Sequence, residues 1–134
     1  MKKFLLIFML ILSTLFLTSC AAETGPELAA GGVYIRIDAA EAKEMMESED
    51  VIILDVRTDE EFEEQRIEGA ILIPDYEIEE RAEDKLPDKD ATILVYCRTG
   101  RRSELASRAL IEMGYKNVYD FGGIVDWDYD IIGE

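Results

Sequence analysis

A single cysteine lies in a stretch that concentrates positive charge. Cys97 begins C-R-T-G-R-R-S, residues 97–103, directly after the apolar run A-T-I-L-V-Y. Three arginines follow it within five residues, although the chain of 134 residues has 30 acidic and 14 basic residues and a net charge of −16. A cysteine that served only the core would not need this charge, since reactive thiols occur in electropositive surroundings. The stretch therefore indicates a nucleophilic thiol.

The predicted backbone around this cysteine also favours an anion. The run 91–96 is predicted as a buried strand and 103–113 as a helix, so the loop joins a strand end to a helix N-terminus. Peptide N–H groups at such a turn point at a common centre, and the helix start adds positive potential. Gly100 permits a tight reversal or a positive φ. We expect these groups and the three arginines to favour the thiolate of Cys97 and to hold an anionic substrate or product.

The composition excludes two other roles for the thiol. The chain has no histidine and only two cysteines, Cys20 and Cys97. A zinc site needs several such ligands, and a cysteine–histidine nucleophile pair needs a histidine. We therefore expect no metal, and we expect activation of Cys97 to come from the electrostatics of its loop.

Loop length separates two kinds of anion-binding cysteine enzyme. Cysteine phosphatases resemble C-x5-R, in which the arginine is the sixth residue after the cysteine. Here that position is Ser103, and the last arginine, Arg102, comes one residue early. A loop that is one residue shorter should close around a smaller group, which suits a single sulfur on Cys97 better than a tetrahedral phosphate. A cysteine phosphatase or arsenate-handling enzyme is retained as the less favoured alternative.

The rest of the chain alternates strands and helices. This alternation predicts an α/β domain with a mainly parallel sheet, whose ligands bind beyond the carboxyl ends of the strands, where Cys97 lies. Asp38 and Glu41 have the spacing of a helix capping box. Strands are predicted at 33–37, 51–56, 70–73, 91–96 and 117–119. Helices are predicted at 39–48, 59–65, 77–85 and 103–113, with a final turn or helix at 123–129.

The N-terminal residues have the pattern of an export signal. Lys2 and Lys3 precede an apolar segment, 4–17, which is shorter than the roughly 20 residues of a membrane-spanning helix. L-T-S-C, 17–20, resembles the lipobox of bacterial lipoproteins, in which the chain is cut before a lipid-bearing cysteine. We predict a signal peptide at residues 1–19.

The predicted mature chain would be anchored outside the cytoplasm through a lipid on Cys20. Residues 20–32 would form a flexible tether, and 33–134 the folded domain. Loss of Lys2 and Lys3 leaves 12 basic and 30 acidic residues, a net charge near −18. Such a surface makes nucleic acid an unsuitable partner, and the lipid rather than charge would hold the chain at a membrane. Cys97 would then have no partner within the chain, which in an exported protein marks either a reactive thiol or an intermolecular bond.

Four sequence segments, in order, resemble the single-domain rhodaneses, a family of sulfurtransferases. L-D-V-R-T-D-E-E-F, 54–62, is similar to the family's L-D-V-R-x-x-x-E-[FY] segment. R-I-E-G-A-I-L-I-P, 66–74, is similar to H-I-P-G-A-x-x-I-P. C-R-T-G-R-R-S, 97–103, is similar to the active-site loop Cys-Arg-x-Gly-x-Arg-Ser, and F-G-G-I-V-D-W, 121–127, to G-G-x-x-x-W. The resemblance extends from about residue 33 to 132.

This resemblance implies a three-layer fold with a five-stranded sheet, and it implies that the protein transfers sulfur. Cys97 would take sulfur from a small anion such as thiosulfate as a persulfide, and a thiol or cyanide would accept it. No cofactor is implied, and we expect a monomer. The resemblance assigns substrate binding, mostly through backbone N–H groups, to Arg98, Thr99, Gly100, Arg101, Arg102 and Ser103.

Other residues of the resembling segments have expected structural roles. Asp55 ends a buried strand, where a charge requires partners, and Arg57 is the candidate partner. Gly122 and Gly123 are expected in a turn, and Trp127 is expected as an anchor of the core.

The sequence departs from the family pattern outside the cysteine loop. Arg66 stands where histidine is usual, and Asp59 and Glu68 stand where prolines are usual. These departures affect surfaces for partners rather than the loop. The alternatives that remain are a non-catalytic binding module of the same fold, which the intact cysteine disfavours, and a redox role for an exposed thiol.

Overall fold

The α/β alternation predicted from the sequence is present in a computed structural model, which describes residues 32–133. Its strands are β1 (Val33–Arg36), β2 (Ile52–Asp55), β3 (Ile71–Leu72), β4 (Thr92–Cys97) and β5 (Asn117–Gly123). Its α-helices are α1 (Ala39–Ser48), α2 (Asp59–Glu64), α3 (Ile78–Lys85) and α4 (Arg101–Glu112). Short 3₁₀ turns lie at Asp75–Glu77 and Ile124–Asp126.

The five strands form one sheet in the order β1-β5-β4-β2-β3. Every strand pair in the sheet is parallel, so the expected mainly parallel sheet is parallel throughout. β4 lies at the centre, and its residues from Ile93 to Cys97 are buried, as a strand covered on both faces requires. The thiol is therefore at the carboxyl end of the central strand.

Helices cover both faces of the sheet, which gives three layers. On one face α3 and α4 pack against the strands, with Leu110 and Tyr115 among the fully buried side chains. On the other face Ala42 of α1 packs with Phe121 and Trp127. The ring centroids of Phe121 and Trp127 are 5.6 Å apart, and Trp127 is buried, so it has the expected place in the core.

Two helices begin with the same reciprocal hydrogen bonds. The Glu41 N–H donates to the Asp38 side chain and the Glu41 carboxylate accepts from the Asp38 N–H, as the sequence predicted for α1. Thr58 and Glu61 make the same pair of contacts at the start of α2, at 3.3 and 3.0 Å. Each capping box satisfies free N–H groups and starts a helix soon after a strand end.

The helix after the cysteine begins earlier than predicted. α4 starts at Arg101 rather than Ser103, because Gly100 takes a left-handed φ of 105° and turns the chain directly into the helix. Gly100 is the N-cap and supplies no side-chain hydrogen bond. Arg101 and Arg102 are therefore first-turn helical residues.

The two glycines expected in a turn instead end strand β5. Gly122 has a φ of 92°, at the place where the register between β4 and β5 shifts. A Cβ on Gly123 would lie only 2.2 Å from the carbonyl oxygen of Arg98. Gly123 therefore lets the end of β5 pack directly against the cysteine loop.

Helix α1 has the predicted bounds, β5 extends four residues beyond its predicted end, and the other predicted elements are shorter or shifted. The helix predicted at 77–85 begins with a 3₁₀ turn, and the one predicted at 123–129 is a 3₁₀ turn. The predicted signal peptide and Cys20, with nearly all of the predicted tether, lie outside the described residues. Within residues 32–133 no helix has the length and apolar character needed to span a membrane.

We predict that truncation of Leu110 destabilises the domain. Leu110 of α4 is 0% exposed in the core, so Leu110→Ala should lower the free energy of unfolding by about 2–5 kcal/mol, measured by urea denaturation. Leu105→Ala on the same helix is the matched control, because Leu105 is 58% exposed, and it should change stability by less than about 0.5 kcal/mol. Equal losses in both variants would contradict the assigned face of α4.

Candidate active site

The Cys97 thiol lies at the N-terminus of helix α4. Cys97 is a free, buried cysteine, and its Sγ accepts a hydrogen bond of 3.0 Å from the backbone N–H of Gly100. In an α-helix the first N–H groups, here those of residues 101–103, have no intrahelical acceptor, and the helix dipole makes this end positive. The backbone thus provides the anion-favouring environment that the sequence predicted.

The arginine side chains lie around the thiol rather than on it. Within residues 32–133, the hydrogen bonds of the Cys97 Sγ are those with the Gly100 N–H and the Ser103 hydroxyl. Arg98 and Arg101 are exposed, and Arg102 is turned toward α2. The predicted arginine contribution is therefore charge near the loop, while direct contacts come from the backbone and a hydroxyl. Thr99 is exposed and Ser103 is fully buried.

Arg102 is fixed by an acid that the sequence analysis did not single out. Its guanidinium makes two hydrogen bonds with the Glu61 carboxylate, at 2.7 and 2.8 Å. Donation from Arg102 lowers the pKa of Glu61 to about 2, and the same contact raises the pKa of Arg102. Glu61 is also the third helical residue of the α2 capping box. The capping spacing T-D-E-E was the available signal for an ordered carboxylate here.

Asp55 and Arg57 form a buried ion pair at the end of β2. The Arg57 Nη2 lies 2.6 Å from Asp55 Oδ2, and the Arg57 backbone N–H donates to Asp55 Oδ1 at 2.9 Å. Nη2 also donates to the Gln65 carbonyl at 2.7 Å, and the guanidinium lies 5.5 Å from the Tyr96 ring centre. The structure shows the pairing that the sequence suggested, and these contacts brace the segment between β2 and α2.

A second buried carboxylate lies behind the loop, and the sequence analysis missed it. Asp120 of β5 is 0% exposed and accepts hydrogen bonds from the Ser103 hydroxyl at 2.7 Å and the Gly122 N–H at 2.9 Å. It also accepts from Arg36 Nη1 at 2.6 Å and from the Tyr34 hydroxyl at 3.2 Å. The signal was an acid inside an otherwise apolar strand just before the paired glycines. Its partners in β1 could not be known without the strand pairing.

The chain matches a known protein family. Residues 38–130 match the rhodanese-like domain. The chain therefore belongs to the rhodanese-like domain family. The match covers strands β2 to β5, the cysteine loop and the helices described above, and it begins just after β1.

Named relatives of this family are thiosulfate sulfurtransferases. The chain is 44% identical over 73 residues to PspE of Escherichia coli (strain K12), covering 54% of this chain and 70% of that protein. It is 34% identical over 96 residues to GlpE of Coxiella burnetii (strain RSA 331 / Henzerling II), covering 71% and 88%. A solved structure of a rhodanese with anions from E. coli has a TM-score of 0.60 and 38% identity, covering 63% of this chain and 100% of that one.

We predict that the Glu61–Arg102 contact makes stability depend on acid pH. The pKa of Glu61 falls from 4.5 to about 2 on folding, so its contribution is complete above about 4.5 and is lost as the pH falls through about 2. The difference in unfolding free energy between wild type and Glu61→Gln should therefore shrink over that interval, measured by urea denaturation at several pH values. Glu63→Gln, at an exposed site of the same helix, is the control. A difference that stays constant with pH would contradict this assignment.

Proposed function

We propose that the chain is a sulfurtransferase in which Cys97 receives the transferred sulfur. The observation that carries this proposal is the Gly100 N–H bonded to the Cys97 sulfur at the start of α4. This geometry would stabilise a negative charge first on Sγ and then on a sulfur attached to it. The relatives named thiosulfate sulfurtransferases support the same reaction.

The first half-reaction loads the cysteine. The Cys97 thiolate attacks the outer sulfur of thiosulfate, the sulfur–sulfur bond of thiosulfate breaks, and sulfite leaves with the electron pair. A new bond joins Sγ to the transferred sulfur, which carries the negative charge of a persulfide. The N–H groups at the start of α4 face this anion, because they have no acceptor within the helix.

The second half-reaction unloads the cysteine. An acceptor nucleophile, either a thiol or cyanide, attacks the outer sulfur of the persulfide, and the electron pair of the broken bond returns to Sγ as a thiolate. The two half-reactions share one covalent intermediate, so ping-pong kinetics are expected. The residues proposed to act are Cys97 as nucleophile and residues 98–103 as the binding loop.

The exposed arginines of the loop would attract the donor. The chain has a net charge of −16, which repels a small dianion at long range. Arg98 and Arg101 are exposed within four residues of the thiol, so they reverse the sign of the charge locally. Arg102 is held by Glu61 and is less free to contact a substrate.

We predict that Cys97→Ser abolishes sulfur uptake. After treatment with thiosulfate, electrospray mass spectrometry under conditions that preserve persulfides should show wild type gaining the mass of one sulfur atom. The variant should show no gain and no thiocyanate production with cyanide, because it lacks the sulfur nucleophile. Cys20→Ser is the matched control and should load normally. An active Cys97→Ser protein would contradict the assignment of the nucleophile.

The same protein tests the alternative functions. A wild type that releases phosphate from p-nitrophenyl phosphate but does not react with thiosulfate would favour a phosphatase, and a wild type with neither activity would favour a binding module.

We also propose that Cys20 bears a lipid that anchors the domain outside the cytoplasm of a bacterial cell. The support is the sequence alone: Lys2 and Lys3, the apolar segment 4–17 and the lipobox-like L-T-S-C. A tether of residues 20–32 would then separate the sulfur site from the membrane. The donor and acceptor would meet the enzyme at that surface.

We predict that Cys20→Ser prevents lipidation and membrane association. When the full chain is expressed in bacteria with a labelled fatty acid, wild type should carry label and sediment with membranes, and Cys20→Ser should carry none. Cys97→Ser should be labelled like wild type, since that cysteine lies in the folded domain. Labelling that follows Cys97, or that is absent from wild type, would overturn the anchor.

A further inference from the structure

The Ser103 hydroxyl links the active thiol to the buried carboxylate of Asp120. Ser103 Oγ is 2.7 Å from Asp120 Oδ1 and 3.6 Å from Cys97 Sγ. It also lies 3.1 Å from the carbonyl oxygen of Gly100 and 3.3 Å from that of Gly122. Two short contacts therefore connect the carboxylate to the sulfur.

The single hydrogen of this hydroxyl is committed to the carboxylate. A serine hydroxyl donates one hydrogen bond, and Asp120 Oδ1 is both the nearest acceptor and a charged one. The hydroxyl oxygen therefore turns a lone pair toward Cys97. This lone pair accepts a hydrogen bond from the protonated thiol. The Ser103 hydroxyl therefore has no hydrogen left to donate to an anionic sulfur on Cys97.

An unmatched negative charge on Asp120 would further oppose an anion on Cys97. Arg36 provides the matching charge, because its Nη1 lies 2.6 Å from Asp120 Oδ2, the oxygen that does not contact Ser103. The parallel register of β1 and β5 places Arg36 directly opposite Asp120. The Arg36 side chain is 50% exposed, so its charge remains partly hydrated.

Two glycines make room for this guanidinium. A Cβ on Gly122 would lie 2.6 Å from Arg36 Nη2, and a Cβ on Gly100 would lie 3.2 Å from the same atom. Arg36 thus packs against the backbone of both β5 and the cysteine loop. Its position is defined by the fold and is not that of a freely moving surface arginine.

We propose that Arg36 is a positioning residue for sulfur transfer: by neutralising Asp120, it lessens the repulsion between that carboxylate and the anionic sulfur that Cys97 forms during the reaction. The inference rests on the sulfurtransferase function proposed above. It adds a role for the first strand of the sheet, which carries none of the loop residues.

Three carboxylates near the thiol other than Asp120 are paired with other arginines. Asp55 pairs with Arg57 and Glu61 with Arg102, at 2.6–2.8 Å, and Glu104 of α4 pairs with Arg108 at 3.0 Å. The cationic partner of Asp120 is Arg36. The other charged or titratable groups on the loop and on the elements packed around it are the exposed Arg98 and Arg101, Asp75 after β3, and Tyr34 of β1.

The test is the pH dependence of the first half-reaction in the full chain. Sulfite release from thiosulfate is followed in a single turnover for wild type, Arg36→Gln, Arg36→Lys, Asp120→Asn and the double variant Arg36→Gln/Asp120→Asn. In parallel, the rate of iodoacetamide alkylation of the Cys97-containing peptide is measured against pH by mass spectrometry. Arg81→Gln removes the same charge from α3 and is the matched control.

Arg36→Gln should move the pH midpoint of both rates upward by about one unit, a roughly tenfold loss below the midpoint, because Asp120 would keep a negative charge that acts on the thiol through a partly screened medium. Arg36→Lys should keep the midpoint near that of wild type. Asp120→Asn should move it downward, and the double variant should return it toward wild type. A midpoint in Arg36→Gln equal to that of Arg81→Gln would overturn the inference.

The design separates this inference from the function it rests on. If wild type takes up no sulfur from thiosulfate, the proposed function fails, while alkylation still tests Arg36. If wild type takes up sulfur and Arg36→Gln has an unchanged midpoint in both assays, only the inference fails. Thermal unfolding of each variant shows whether the variant is still folded. If Arg36→Lys is folded and has the same shifted pH midpoint as Arg36→Gln, the role of the Arg36 charge is also contradicted.

Discussion

The backbone N–H of Gly100 points at the Cys97 sulfur, and the rest of the site depends on keeping it there. The central strand β4 brings the thiol to the edge of the sheet, and the left-handed conformation of Gly100 turns the chain into α4 within three residues. Gly123 lets β5 close directly against the loop, since any side chain there would meet the Arg98 carbonyl. The Cys97 sulfur is thus held by main-chain geometry that depends on these glycines.

Charge around the sulfur is arranged in pairs rather than as a simple excess of arginine. The chain is strongly acidic, yet the carboxylates nearest the loop each meet an arginine: Glu61 meets Arg102, and Asp120 meets Arg36. Pairing reduces the negative charge that these acids present to the thiol, which lies at the positive end of α4. In the proposed reaction, the exposed Arg98 and Arg101 would attract the anionic donor.

The sequence was sufficient for the fold and for the position of the thiol, because both depend on local patterns. Apolar runs, capping spacings and the position of Cys97 after a strand predicted the parallel sheet and the strand-end site. The start of α4 was placed two residues late, since the conformation of Gly100 replaces a side-chain cap. The Asp120–Arg36 contact was missed for a different reason: it joins residues 84 apart through the register of β1 on β5, which no local pattern encodes.

Because β1 is an edge strand, the pairing of β1 with the sheet is linked to the charge balance at the cysteine. β1 pairs with β5 alone, and its last residue reaches the carboxylate behind the loop. A chain whose first strand had come away would still contain every residue of C-R-T-G-R-R-S, but Asp120 would have lost its arginine. The charge balance at Cys97 therefore depends on β1, although β1 contributes no residue to the cysteine loop. β1 is also the strand through which the chain enters the domain from its N-terminal side.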